Sequence, residues 1–377
     1  MLLNDDESLF LESILHFAKK EVAPKVKAMD QAAQFDKTLI QALFKQGLMG
    51  IEIPAQYGGV GGSFFQSILA IQALGAYDPS VSVLVDTQNT LINRIIMTYA
   101  NETLQQHYLP RLATSCVGSF CLTETHSGSD AFALKTQAVV KSDYDEISGR
   151  KIFITNAHEA DFFIVFANAD FSKKHKGITA YAIDRNTQGL SIGKKEHKLG
   201  IKASSTCEVI LEQVKVPHAQ RIGALGQGYK IAIDTLNEGR IGIAAQTLGL
   251  AEGALNAALS YAKTRMQFGQ AITEFQGVQF QIADMATRIE AAKLLVYHAA
   301  RCKEAKQPFS KQAAMAKLFA SEVAESTASL ALELFGGYGV TEDYPAEKYY
   351  RDAKVGKIYE GTSNIQKLTI AKAILSD

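Results

Sequence analysis

A single carboxylate lies close to the C-terminus in the segment KIYEGTSNIQ, Lys357 to Gln366. Glu360 follows a tyrosine and precedes Gly361 and a run of small polar residues. A positioned carboxylate can act as a general base. Most glutamates are exposed and have no such role, so an ordinary surface residue beside a turn glycine is the alternative. This segment alone does not decide between the two.

Two further segments carry groups that could bind or react. FCLTETHSGSDAFALKT combines hydroxyls and glycine in a loop whose backbone N–H groups could approach a flat polar ligand and its phosphates. It lacks the G-x-S-x-G elbow of a serine hydrolase. His158 and Glu159 resemble the start of HExxH, but the second histidine is missing. The four cysteines form no CxxC pair, so we expect reduced thiols and no metal site.

The segment TLNEGRIGIAAQTLGLAEGALNAALSYAKTRMQFG predicts one long helix with glycines in its interior. Each interior glycine costs about 0.5 to 1 kcal/mol relative to alanine, so we expect a neighbour or ligand to approach closely there. Arg240 and Arg265 could each clamp a phosphate through the planar guanidinium. A solvated helical arginine is the alternative for both.

The pattern of apolar residues divides the chain into three parts. Residues 1–118 have helical spacing, with Pro24 as a possible break and YGGVGGS as a packed loop. Residues 119–225 contain short β-branched and aromatic segments separated by turns, typical of an antiparallel barrel or sandwich. Residues 226–377 are helical again. The α+β order has no βαβ alternation and no GxGxxG, which disfavours a nicotinamide-binding Rossmann domain.

One helical stripe has two interpretations. Its members step by four and three residues and so share a helix face: Val278, Ile282, Met285, Ile289, Ala292, Val296 and Ala299. The stripe could belong to the core of the chain or to an interface between subunits.

Composition excludes several classes. Lys plus Arg equals Asp plus Glu at 39 each, so no global charge attracts nucleic acid or an anionic membrane. No run of about 18 uncharged apolar residues occurs, which argues against a membrane span. The first residues are acidic where a signal peptide would be basic, so we expect a cytoplasmic protein.

Taken in order, the motifs resemble those of the acyl-CoA dehydrogenase family along almost the whole chain. They are LTETHSGSD, KIFIT, KLGIKASST, NEGRIGIAAQTLG, RMQFG, FQGVQFQIADMA, GGYGVTEDYPAEKYYRDAK and IYEGTSNIQ. QNTLIN, VGSFCL and EGTSNIQ are most similar to the short/branched-chain subgroup.

The resemblance implies an FAD enzyme, typically a homotetramer built as a dimer of dimers. Such an enzyme desaturates an acyl-CoA between Cα and Cβ and passes electrons to electron-transfer flavoprotein. Glu360 matches the family's catalytic base, and its backbone N–H would bind the thioester oxygen. Some relatives carry the base on the long helix, but Gly239 occupies that position here.

Residue matching also implies binding roles. Thr123 would lie near the flavin pyrimidine edge and Thr155 near N5, while Arg265 and Gln276 would reach FAD across a dimer interface. The implied cofactor-binding residues are Phe120, Leu122, Thr123, Gly128, Ser129, Phe153, Ile154, Thr155, Arg265, Phe268, Gln276, Glu333, Gly336, Gly337, Thr362 and Asn364. The implied substrate contacts are Ser129, Tyr229, Asn237, Arg240 and Gly361.

Some positions depart from the family pattern. Phe153 replaces a frequent Trp over the flavin, and Glu333 replaces a common Gln near the FAD phosphates. We expect a short, 2-methyl-branched acyl group, with straight C4 to C6 chains as the alternative. A non-catalytic acyl-CoA-binding protein on the same fold is a further alternative, and loss of Glu360 would have been its sign.

Overall fold

The computed structural model describes residues 2–376, in which helices, then strands, then helices follow one another along the chain. The predicted α+β class is therefore confirmed. The N-terminal helices are α1 (Asp5–Phe17), α2 (Val26–Ala32), α3 (Lys37–Lys45), α4 (Phe64–Gly75), α5 (Pro79–Asp86), α6 (Arg94–Tyr99) and α7 (Glu102–Thr114).

Side chains at the helix ends explain several of these boundaries. Asn4 and Ser63 each form a reciprocal capping box, which satisfies N–H groups that have no partner inside the helix. The predicted break at Pro24 is present as a 3₁₀ turn between α1 and α2. YGGVGGS is a loop between helices, as predicted, and ends at the Ser63 cap of α4.

A π-helical segment, Thr87–Asn93, joins α5 to α6. Its amide side chains are buried and donate to backbone carbonyls elsewhere: Gln88 to Cys116, Asn89 to Leu48, and Asn93 to Met49. Such π-bulges occur frequently at functional sites, because they shift the side chains that follow.

The middle of the chain forms one eight-stranded sheet in the order β6-β7-β3-β2-β4-β5-β8, with β1 beside β4. Its strands are β1 (Gly118–Cys121), β2 (Gln137–Val140), β3 (Tyr144–Thr155), β4 (Phe162–Asn168), β5 (Ile178–Asp184), β6 (Leu190–Lys195), β7 (Thr206–Pro217) and β8 (Arg221–Ile222). Most pairs are antiparallel, but β4 runs parallel to β1 and β2. Strands β6 and β8 end the sheet without pairing to each other in the part of the chain described, so it is sandwich-like rather than a closed barrel.

Long helices make up the C-terminal part. Its elements are α8 (Gly228–Thr264), the hairpin β9 (Met266–Gln267) and β10 (Gln270–Ala271), α9 (Gln276–Glu304), α10 (Ser310–Phe335), α11 (Ala346–Gly356) and α12 (Ser363–Leu375). The α9 stripe belongs to the intramolecular core: five of its seven residues are buried there and the first two pack against it. Core packing, one of the two interpretations, is thus confirmed for this stripe.

The glycines of α8 allow close packing against neighbouring elements. The sequence predicted this, because glycine is unfavourable inside a helix and a close neighbour would offset its cost. A Cβ at Gly249 would lie 2.0 Å from the carbonyl oxygen of Gln72, and one at Gly253 would lie 2.1 Å from that of Ala76. The backbone of α8 therefore lies directly against α4 and the turn that follows it. This seam fixes the N-terminal helices relative to the helix that carries Gly239 and Arg240.

Between residues 2 and 376, no helix is long and apolar enough to cross a membrane. The same range contains no group of three or more His, Cys, Asp or Glu side chains arranged to hold a metal ion.

Candidate active site

Glu360 lies in the turn between α11 and α12, and this turn has an uncommon backbone. Glu360 has φ of 53° and Gly361 has φ of 93°. A non-glycine residue at positive φ is uncommon and often marks a functional site. At Gly361 a Cβ would also lie 2.7 Å from Nε2 of Gln366, so glycine suits both the angle and the space. Thr362 then caps α12 by accepting from the N–H of Ile365.

The Glu360 carboxylate reaches a desolvated position against α8. Its Oε2 atom is buried and has no hydrogen-bond partner among the described residues. A Cβ at Gly239 would lie 2.3 Å from Oε2 and 2.9 Å from Cδ2 of Leu91, so the glycine provides the space that the carboxylate and the leucine occupy. Burial raises the pKa of Glu360 to about 7.

Two cations act on this carboxylate. Arg240 on α8 and Lys317 on α10 both lower the pKa of Glu360, in opposition to the larger effect of burial. Arg240 donates to Oδ1 of Asn237 at 2.7 Å, while its Nε is buried without a partner. Lys317 donates to the carbonyl of Gly361 at 2.7 Å. A buried carboxylate with a pKa near 7 can accept a proton near neutral pH.

Asp86 is a second buried carboxyl group in the same region. Its side chain is fully buried against Gly242, one helical turn after Gly239, and it accepts from the Thr90 hydroxyl at 2.9 Å. Burial and the charge of Glu360 raise the pKa of Asp86 well above its usual value. The buried Asp86 carboxyl therefore favours its protonated form more strongly than a solvated carboxyl does.

The loop after β1 is held from beneath by a buried ion pair. Lys151 is fully buried and donates to Oε1 of Glu124 at 2.7 Å and to the carbonyl of Leu122 at 3.1 Å. The Glu124 carboxylate also accepts the backbone N–H groups of Lys135 and Thr136. These bonds fix the backbone around Thr123, whose carbonyl accepts from the N–H of Ile152.

Phe153 projects from β3 at a strained position. Its φ is 55° and its side chain is 60% exposed, although it lies between the buried residues Lys151 and Ile154. The pairing of β3 with β7 shifts register between these two neighbours, which turns the phenyl ring outward. An exposed aromatic ring of this kind offers a flat apolar face on which a ring system could stack.

A separate cleft of about 470 Å³ lies where the end of α8 meets the end of α10. Arg265, Gly336 and Gly337 line it together with Tyr338, and the Arg265 guanidinium lies 5.4 Å from the Tyr338 ring centre. Nothing lies within 4 Å of a Cβ built at Gly336 or Gly337, so the surface above both glycines is open. This cation beside open backbone suits a phosphate-bearing ligand.

The other sequence-predicted residues are placed as follows. The exposed residues are Gly128, Ser129, Phe268, Gln276, Glu333 and Asn364, the partly buried ones are Phe120 and Thr155, and the buried ones are Leu122 and Ile154. The structure thus places Arg240, Gly361 and Thr362 near Glu360, with Asn237 bonded to Arg240, and places Arg265, Gly336 and Gly337 in the separate cleft. The Tyr229 ring packs at tilted angles against those of Phe132 and His175, with ring centres at 4.3 and 4.6 Å.

These features fit the flavin cofactor that the resemblance implies. The exposed Phe153 ring offers a stacking surface, and nothing lies within 4 Å of a Cβ built at Gly128 in the loop beside it. Arg265 supplies a cation for phosphates in the cleft. A dinucleotide that carries a ring system can bind through such groups: the ring stacks on a flat aromatic surface, and the phosphates bind open loop backbone and a guanidinium.

Sequence reasoning missed three residues of the site: Asp86, Lys317 and the lysine of the Lys151–Glu124 pair. Lys317 had a detectable signal, because it stands alone in the apolar run AAMAKLFAS. A charged residue on the buried face of a helix needs a partner, and that requirement could have singled it out.

Comparison with known proteins identifies the family. Family models described as the N-terminal, middle and C-terminal domains of acyl-CoA dehydrogenase match residues 4–115, 119–214 and 226–375. The chain is 53% identical over 373 residues to the mitochondrial short/branched chain specific acyl-CoA dehydrogenase of Bos taurus, covering 99% of this chain and 86% of the relative.

Two solved structures superpose along the whole chain. Butyryl-CoA dehydrogenase from Megasphaera elsdenii has a TM-score of 0.97 and 41% identity, covering 100% of this chain and 99% of that one. A chain from the structure described as the electron transferring flavoprotein of Acidaminococcus fermentans has a TM-score of 0.98 and 44% identity, with 100% of both chains covered.

Proposed function

The chain belongs to the acyl-CoA dehydrogenase family of oxidoreductases, and from this premise we propose that it desaturates a short, 2-methyl-branched acyl-CoA to the trans-2-enoyl-CoA. The observation that carries the proposal is the Glu360 carboxylate, buried against Gly239 with Oε2 unpartnered. An unpartnered carboxylate oxygen in a desolvated position is available to a C–H proton of a bound substrate.

Glu360 removes the proton from the α-carbon of the thioester. The C–H bond breaks, the proton passes to the carboxylate, and the electron pair moves toward the thioester as an enolate-like charge. Bound FAD would supply the acceptor for the hydrogen that leaves the β-carbon as hydride. The apolar contact of Leu91 and the buried setting exclude water from the base, which strengthens electrostatic interactions within the site.

A backbone donor is available for the thioester oxygen. The N–H of Glu360 has no backbone acceptor between residues 2 and 376, and the positive φ values of Glu360 and Gly361 set its direction. A preorganised N–H accelerates the reaction when it donates to an oxygen that gains negative charge in the transition state, because it then stabilises the transition state more than the neutral substrate. We assign this N–H to the thioester carbonyl.

Substrate choice is proposed from the relatives. The Bos taurus enzyme is described as short/branched chain specific, and the Megasphaera elsdenii structure is of a butyryl-CoA dehydrogenase. A 2-methyl-branched acyl group is our first candidate because the first relative is more similar. Butyryl and other straight C4 to C6 chains are the second candidate.

We further propose electron-transfer flavoprotein as the electron acceptor and a homotetramer, a dimer of dimers, as the assembly. The similarity to the chain from the Acidaminococcus fermentans structure supports the first. The exposed positions of Phe268, Gln276 and Glu333 support the second, because the family motifs assign these residues to FAD and they lie at the surface of one chain. Light scattering on the holoenzyme gives the assembly mass.

The test is an anaerobic titration of purified holoenzyme with 2-methylbutyryl-CoA, isobutyryl-CoA, butyryl-CoA and octanoyl-CoA. Loss of the visible absorbance of the oxidised flavin reports the reaction. We expect stoichiometric bleaching by 2-methylbutyryl-CoA and none with Glu360→Gln, which keeps the shape of the side chain but cannot accept the proton.

Preferential bleaching by butyryl-CoA would select the straight-chain alternative. If no acyl-CoA bleaches the flavin, or if Glu360→Gln reacts as fast as wild type, the proposed reaction is wrong. Purification without flavin would move the protein to the non-catalytic acyl-CoA-binding alternative.

A further inference from the structure

Lys317 is a buried lysine that has no carboxylate partner among residues 2–376 to compensate for its burial. It lies on α10 among alanines, its side chain is fully buried, and its hydrogen bond goes to the carbonyl of Gly361 at 2.7 Å. Burying an ammonium group is costly unless a counter-charge is close. Burial lowers the pKa of Lys317 to about 7, because the charged ammonium is destabilised away from water.

Two other buried lysines show what structural pairing looks like in this chain. Lys151 lies 2.7 Å from a carboxylate oxygen of Glu124, and Lys348 lies 3.0 and 2.6 Å from those of Asp78 and Asp352. Lys317 has no carboxylate oxygen within 4.0 Å in the described part of the chain. Its partner is instead the carbonyl one residue after the proposed base.

We propose that Lys317 is a positioning residue for proton abstraction: its ammonium holds the Glu360–Gly361 turn and keeps the Glu360 carboxylate ionised. The proposal rests on the proposed function, because it requires Glu360 to be the base. The bond acts on the turn where both residues have positive φ, a conformation that must be held by its surroundings.

Four groups face the Glu360 carboxylate and determine the direction of its titration. Arg240 from α8 and Lys317 from α10 favour the ionised form. Asp86 from α5 would oppose it if charged, but its own pKa is raised by burial. Tyr359, the preceding residue, has its pKa raised and stays neutral. Below the pKa of Lys317, which burial lowers to about 7, removal of this lysine takes away one of the two favourable charges.

Gln366 provides a matched control. Its Nε2 donates to the same Gly361 carbonyl at 2.9 Å and to that of Glu360 at 3.2 Å, and its side chain is fully buried. It therefore holds the same turn without a charge. Loss of Gln366 should loosen the turn, whereas loss of Lys317 should both loosen it and change the titration of the base.

The experiment compares Lys317→Met, Lys317→Arg and Gln366→Met as FAD-loaded enzymes. The kcat/KM for the acyl-CoA that bleaches the flavin is measured across pH 5 to 10. With the cation removed, Glu360 holds its proton more tightly, so the acidic limb of the Lys317→Met profile should move to higher pH by about one to three units. Lys317→Arg should stay close to wild type, and Gln366→Met should lose rate at all pH values without moving the limb.

Hydrogen exchange of residues 357–366 gives a readout independent of turnover. Both Met variants should exchange faster there than wild type, because each removes a donor to Gly361. An unmoved acidic limb in Lys317→Met, or an equal shift in Gln366→Met, would overturn the proposal. If Lys317→Met does not fold, Lys317→Gln takes its place under the same criteria. Turnover by Glu360→Gln would instead overturn the proposed function, so the two failures are distinguishable.

Discussion

At the scale of single residues, the site depends on the absence of a side chain at Gly239. Gly239 occupies the position on α8 where a Cβ would overlap the Glu360 carboxylate, and that carboxylate lies there because the glycine leaves space. The helix gives up about 1 kcal/mol of intrinsic propensity for this arrangement. The glycine is thus part of the site although it has no chemistry of its own.

Gly239→Ala should lower kcat while the protein stays folded. The new Cβ would lie 2.3 Å from Oε2 of Glu360, the mobile end of a side chain, so the carboxylate rather than the helix should move. A displacement of about 1 Å at a reacting group can cost about a hundredfold in rate. Wild-type kcat in Gly239→Ala would contradict this role of Gly239.

The raised pKa of Glu360 also predicts a pH-dependent stability. A carboxyl whose folded pKa, about 7, lies above its unfolded value of 4.5 binds more protons in the folded state between these values, so stability falls as pH rises through this window. Glu360→Gln removes this loss. The variant should unfold at a higher temperature than wild type at pH 8, and the difference should shrink toward pH 5. Calorimetry at both pH values measures it, and a difference independent of pH would argue against a raised pKa.

At the scale of elements, the part of the sheet around β1 and β3 is held by the buried ion pair of Lys151 and Glu124. Lys151 on β3 ties the loop after β1 through Glu124, and the exposed Phe153 follows two residues later. The proposed flavin surface therefore lies on strand β3. The Lys151–Glu124 ion pair attaches the loop after β1 to that strand. This arrangement keeps a glycine-containing, exposed loop in one position.

Lys151→Met should destabilise the protein by about 3 to 5 kcal/mol, because it leaves the buried Glu124 carboxylate without its cation. It should also weaken flavin retention, since the loop around Thr123 loses its anchor. Urea unfolding and the absorbance ratio of flavin to protein measure the two effects. Lys151→Met combined with Glu124→Gln should recover part of the stability. Lys194→Met, which breaks an exposed pair with Glu196, is the control and should cost less than about 1 kcal/mol.

The elements were predictable from the sequence to a large extent, because their causes are local. The sequence predicted the long α8 and the α9 stripe, and the glycines of α8 predicted its close neighbours. The predicted helix extended too far, because α8 ends at Thr264 and Met266 and Gln267 form β9. The barrel alternative was wrong because closure depends on whether β6 and β8 meet, which no local pattern specifies. Likewise Asp86 and Lys317 reach the site through contacts across more than 40 residues of sequence, which spacing along one segment cannot show.

At the scale of the whole molecule, a buried charge cluster joins the three parts of the chain. Lys348 on α11 bonds Asp78, the cap of α5, and Asp352 on its own helix. Asp352 in turn accepts the N–H of Ile201 from the loop between β6 and β7. N-terminal helices, sheet and C-terminal helices therefore meet at one lysine. The seam of α8 against α4 and this cluster together fix the position of Asp86 relative to Glu360.

Lys348→Met should lower the free energy of unfolding by about 3 to 5 kcal/mol, because it leaves the buried carboxylates of Asp78 and Asp352 without a cation. The loss should be larger at pH 8 than at pH 5. Burial raises the pKa of Asp352 and Lys348 opposes this effect, so without Lys348 the folded variant holds the Asp352 proton more tightly than the unfolded chain and loses stability as pH rises. Urea unfolding at both pH values gives the measurement. Lys354→Met on the same helix is the control: it breaks an exposed pair with Glu325 and should cost less than about 1 kcal/mol. If Lys348→Met costs as little as Lys354→Met, the cluster does not join the three parts.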